Sequence, residues 1–209
     1  MKPKTGYEDE FSTVELILKS GAETRGVDAF ALSLIKAERQ ARRLLTFLVF
    51  QSPAFGTADG RALRKTLASS KQVFFAGLIA GIDALAPLTV RDLVGPEYDR
   101  LWARFVEFAR HRNKIFHGQL TVVGVRRNQL LQNVHDIQLW CESLGRGGVQ
   151  ELGYDGFDRN SFRKSTIGDL SSRLRIQIGS HQDYVTFLRA HMERRNLSKA
   201  IPNAPEAGN

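Results

Sequence analysis

Arg112 and His117 stand five residues apart in "RHRNKIFHG", residues 110 to 118, and their types suit chemistry on a phosphate. Histidine titrates near neutrality and serves as either base or acid. Arginine offers a permanently charged planar fork that matches phosphate oxygens. Asn113 follows the arginine directly and adds a neutral donor and acceptor. Around an ideal helix, residues five apart differ by about 140°, so the two groups do not meet on one straight helix. They converge if the helix ends or distorts near Phe116, where Gly118 is a natural exit, or if two copies of the chain pack across this surface.

The segment follows "LWARFVEFA", whose Leu101, Phe105 and Phe108 form one helical stripe that Arg112 continues. Glu38 takes the same kind of position in an earlier helix, between Leu34 and Leu45. Opposite charges on two apolar faces point to a buried pair or a polar cleft. If the pair is buried, removing Glu38 costs about 3–5 kcal/mol. Two structural alternatives stand beside the chemical reading. Arg112 and Glu38 fix helix register only, or Glu38 is a solvated member of "KAERQARR"; His117 is then a helix-end histidine favoured by the local dipole.

The first two thirds of the chain read as helices. Ser12 with Glu15 has the capping-box pattern, and Asp28 is placed to cap a longer helix. "SPAFGTADG" breaks that helix, and a third runs from about 61 to 85, with Gly77 and Gly81 allowing close approach. Pro96 suits the start of a fourth. A fifth spans about 125 to 144, with Cys141 in its apolar stripe and "GRGG" ending it. The later segment is turn-rich, "LRIQI" alternates like a short strand, and Ser180 with Asp183 signals a closing helix. The expectation is an all-α, up-and-down bundle of about five helices over 1–145. A less regular extension over 146–197 ends in a helix, and a disordered tail occupies 198–209.

The 209 residues carry 30 Lys and Arg against 22 Asp and Glu, a net +8 that favours an anionic partner, nucleic acid first. One cysteine excludes an internal disulfide. His111 and His117 lack Asp, Glu or Cys at ligand spacing, so no metal and no cofactor is expected. With no apolar run of membrane length and no secretory leader, the expected location is the cytoplasm.

Arg112-Asn113-Lys114-Ile115-Phe116-His117 resembles the RxxxxH motif of the HEPN superfamily, with a polar residue after the arginine and Gly118 after the histidine. The resemblance covers roughly residues 10 to 145. It implies a helical bundle, often a homodimer, acting as a metal-independent endoribonuclease in toxin–antitoxin or anti-phage systems. A possible further partner is an antitoxin or another defence protein. By resemblance Arg112 and His117 of two protomers line one cleft, Asn113 orients the histidine or the phosphate, and Glu38 holds Arg112. The alternative is a non-catalytic HEPN-like module that binds RNA, a nucleotide or a protein. Gln119 stands where one subgroup carries a tyrosine, so that subgroup's mode of neutralisation is not implied.

Overall fold

The computed structural model describes residues 6–70, 73–116, 127–158 and 160–193, without the side chains of 109–111, 113–116 and 127. The tail expected over 198–209 lies outside the described residues. The class is all-α, as the periodicity requires. The helices are α1 Gly6–Lys19, α2 Arg25–Phe50, α3 Gly60–Ser69, α4 Phe75–Leu85, α5 Val90–Val94, α6 Tyr98–Phe116, α7 Arg127–Leu152, α8 Leu170–Arg173 and α9 His181–His191. They outnumber the five long helices expected for the bundle because short elements fill the connections. The chain forms two compact units, residues 1–40 with 91–158 and residues 41–90 with 159–209.

In the first unit, α6 and α7 are joined by rings. Trp140 of α7 lies 4.9 Å from Phe105 and 6.0 Å from Trp102 between ring centroids, and Phe108 meets Phe30 of α2 edge-on at 5.6 Å. Leu101, Phe105 and Phe108 are all buried, as their spacing predicts. Cys141 is fully buried, and burial pushes its thiol pKa up, so it is an inert core residue. The helix α1 begins well before the predicted cap. Tyr7 and Phe11 pack on Phe157, which extends the helix upstream and leaves Ser12 inside it, donating to the carbonyl of Asp9. Asp28 lies in the first turn of α2 rather than at its cap and accepts from Thr24 Oγ1 at 2.7 Å.

"GRGG" does not end α7, which continues to Leu152. A Cβ on Gly147 would sit 2.2 Å from the carbonyl oxygen of Leu93, so the glycine is there to let another backbone touch the helix. Gly77 and Gly81 serve the expected close approach in the second unit. Their Cβ positions fall 2.2 Å from Met192 O and 2.7 Å from Met192 Sδ, beyond the end of α9. The single helix expected over 61–85 is two, α3 and α4.

Residues 44–52 are all buried, so α2 ends inside its unit with carbonyls that need donors. The C-terminal segment supplies them. Although Lys164 is exposed as a whole, its Nζ donates to Phe50 O at 2.6 Å and Ser52 O at 2.8 Å, and lies over the Phe50 ring. Burial lowers its pKa from the ordinary lysine value, while the carbonyls favour the charged form. Gln51 donates to Arg163 O and accepts from Ser165 N, and Ser52 donates to Ile178 O. Arg175 does the same for α4, donating to Asp83 O and Pro87 O at 3.1 Å each. "LRIQI" is therefore not a strand: Leu174 and Ile178 are buried, and Arg175 between them turns to a helix end. Ser180 does cap α9, accepting from Asp183 N.

Lys164→Met keeps the stem and removes the donor, stranding buried carbonyls. The expected loss is about 2 kcal/mol in urea unfolding followed by far-ultraviolet circular dichroism. A midpoint equal to that of the unaltered chain would show that water replaces the lysine.

Candidate functional site

The site is built on the C-terminal part of α6. Its aromatic face fixes that helix against α7 and α2, and a polar seam on the neighbouring face fixes its rotation. Arg100 Nη1 and Arg104 Nε both donate to the carboxylate of Asp136, at 2.9 and 3.3 Å. Arg104 also donates to Asn133 Oδ1 at 2.5 Å and to Glu107, which accepts from Gln129 in turn. Asp136 and Asn133 are buried and satisfied, while Arg100, Arg104 and Glu107 reach from them to solvent, so the seam ties the edge of α6 to α7. Sequence reading missed it. The available signal was two polar residues, Asn133 and Asp136, set within the apolar stripe Leu130, Val134 and Ile137.

Arg112 is one helical turn beyond Phe108, the last aromatic side chain described on α6. It is exposed, with 44% of its side chain accessible. Its Nη2 stands 4.0 Å from Glu38 Oε2, and the Glu38 side chain is 27% accessible. The pairing expected from the sequence exists, but it is open to solvent rather than buried. At this separation in water the attraction is about 1 kcal/mol, before screening. The physical reason lies in the stripe: spacing identifies the face of a helix, but not where along that face the core stops. Asn113 follows Arg112 on α6, while its side chain lies outside the described residues, as does all of His117.

Other residues in "KAERQARR" depart further from a solvated face. Lys36 is buried, ion-paired to Glu10 at 3.2 Å, and Arg39 reaches the same oxygen at 3.0 Å. Gln40 is fully buried and donates to Cys141 O and Asp155 O at 2.9 Å each. This part of α2 is thus anchored on both sides of Glu38. Asp83 accepts from Val90 N at 2.6 Å at the start of α5. Among the described residues no group of three or more His, Cys, Asp and Glu could hold a metal ion, and no helix is long and apolar enough to cross a membrane.

Glu38→Ala is expected to shift stability by less than about 1 kcal/mol, because the pair is exposed and long. The chain's two tryptophans, Trp102 and Trp140, both lie in this unit, so denaturant unfolding followed by tryptophan fluorescence reads it directly. A loss near 3 kcal/mol would instead mean that the carboxylate is an integral part of the packing.

Compared with known proteins, the chain matches no family model, no curated protein and no solved structure.

Proposed function

We propose that this chain is a metal-independent endoribonuclease of the HEPN type, cutting single-stranded RNA as a homodimer in a toxin–antitoxin or anti-phage setting. One observation carries the reading: the Arg112 guanidinium is open to solvent near the end of a helix held by rings and a polar seam, with Glu38 4.0 Å away. A cation so placed meets phosphate oxygens without first leaving a core. The partly hydrated carboxylate limits its swing, and the planar guanidinium fork matches phosphate oxygens.

In this reading a histidine removes the proton from the substrate's 2′-hydroxyl. The 2′-oxygen forms a bond to phosphorus, the bond from phosphorus to the 5′-oxygen breaks, and a second proton donor protonates that oxygen. The products are a 2′,3′-cyclic phosphate and a 5′-hydroxyl. Arg112 neutralises charge developing on the phosphate oxygens. Each chain brings one Arg112 and one His117, so a pair of chains provides a base, an acid and two clamps through a symmetric interface.

Purified protein is expected to cut single-stranded RNA in EDTA, to leave cyclic phosphate ends, and to spare DNA, which lacks the attacking group. RNA that is bound but stays whole would favour the non-catalytic module. A strict need for added magnesium would remove the mechanism.

A further inference from the structure

The net positive charge of this chain does not lie in the unit that carries Arg112. Residues 41–90 and 159–209 hold 15 Lys and Arg against 6 Asp and Glu, a net +9; the remaining residues hold 15 against 16, a net −1. The two values recover the +8 of the whole chain. Three of the six acids of the basic unit bond to backbone. Asp59 accepts from Gly56 N, Asp83 from Val90 N and Asp169 from Ser172 N, each at the start of a short element.

Within that unit, α3 gathers exposed cations on one face. Leu63 and Leu67 are buried, and Gly60 is pressed against Phe162. Arg61, Arg64 and Lys65 point to solvent, with Ala62, Ala68 and Ser69 between or beyond them. None of the three cations forms an ion pair among the described residues. Arg64 is braced, its guanidinium 5.1 Å from the centroid of the Phe162 ring, which fixes one charge of the three. Beside this face, Thr66 Oγ1 is 2.8 Å from Nε2 of the exposed His181 at the start of α9. Phe74, 45% exposed, begins α4, which packs on α9 as α3 does.

We propose that the solvent face of α3, carrying Arg61, Arg64 and Lys65, holds the sugar–phosphate backbone of a single-stranded polynucleotide. Three cations within little more than one helical turn concentrate positive charge against the phosphates of such a strand. The small residues among them let the backbone approach, and hydroxyl and imidazole groups at the edge suit sugar and phosphate oxygens. A membrane surface fits less well, because α3 itself exposes no large apolar side chain to insert. Phe74 is a platform for an unpaired base, which a duplex does not offer. Binding through α3 uses none of the residues assigned to cleavage, so it is tested independently of cleavage.

The test uses the full chain and a labelled single-stranded 2′-O-methyl oligonucleotide, which cannot be cut through its 2′-oxygen. Arg61→Gln, Arg64→Gln and Lys65→Gln combined should lower the slope of log affinity against log salt by about 2, at about 0.7 per phosphate contact. Affinity at 0.1 M salt should then fall on the order of a hundredfold. If the triple variant does not fold, Arg61→Gln with Lys65→Gln keeps the Arg64–Phe162 contact and should lower the slope by about 1.4. The control removes equal charge from the other unit, through Lys19→Gln, Arg91→Gln and Arg146→Gln, and should bind nearly as the unaltered chain does. An unchanged slope in the α3 variants, or an equal loss in the control, overturns the proposal. So does stronger binding to anionic vesicles or to polyglutamate of matched charge, either of which would name a different partner.

Discussion

Replacing His117 or Arg112 by alanine is expected to remove most RNA cleavage measured in EDTA while leaving the fold intact. Loss of a general acid–base histidine costs about 10²–10⁴-fold in rate. Loss of a group that stabilises developing charge costs about 10²–10³-fold. Arg112 is exposed and its Glu38 partner is partly hydrated, so its truncation strands no buried charge. Tryptophan fluorescence should therefore show an unaltered unfolding midpoint. Groups that act on one phosphate as a unit lose function non-additively, so the double variant should be little worse than either single one. His135 is exposed on α7, away from the stripe, and His135→Ala is the control. Full cleavage by His117→Ala would assign the segment a structural role.

Gly147→Ala is expected to destabilise the unit containing α6 and α7 by about 2–4 kcal/mol. On helix propensity alone the substitution should gain about 1 kcal/mol, since glycine is poor in a helix interior. The structure reverses that sign. The added methyl would stand 2.2 Å from Leu93 O and 2.9 Å from its carbonyl carbon, and these are backbone atoms that cannot turn aside. Relief requires α5 to shift relative to α7. Gly21→Ala provides the contrast, with nothing within 4 Å of the new methyl and no positive φ. It should be neutral or slightly stabilising, through a less flexible unfolded chain. Both effects are read from denaturant midpoints, and a stable Gly147→Ala protein would mean that α5 and α7 are not in contact in solution.

Some features of this protein are determined by the sequence alone because their cause is local. The stripe Leu101, Phe105, Phe108 is buried where a 3.6-residue period places it, and Ser180 caps α9 three residues before Asp183, as the side-chain reach of a cap requires. Cys141 falls in the core for the same reason, and Gly77 and Gly81 mark a close approach whose partner the sequence left open. The pairing of Arg112 with Glu38 was also legible from the positions of the two residues on their helices.

Tertiary structure decided the rest, wherever the cause is distant in sequence. "GRGG" reads as a stop, yet it lies inside α7, because the backbone of Leu93 takes the space that side chains would fill. "LRIQI" alternates like a strand, yet Arg175 caps α4 and the segment follows helix ends instead of a ladder. Lys164 looks like one more surface cation until the buried end of α2 supplies the carbonyls that hold it. The exposure of Arg112 depends on where the aromatic packing stops, and the concentration of charge on one unit depends on which segments come together. A residue's period names the side of the helix it occupies; what lies against that side is set by segments more than a hundred residues away, as Gln40 with Asp155 and Lys164 with Phe50 show.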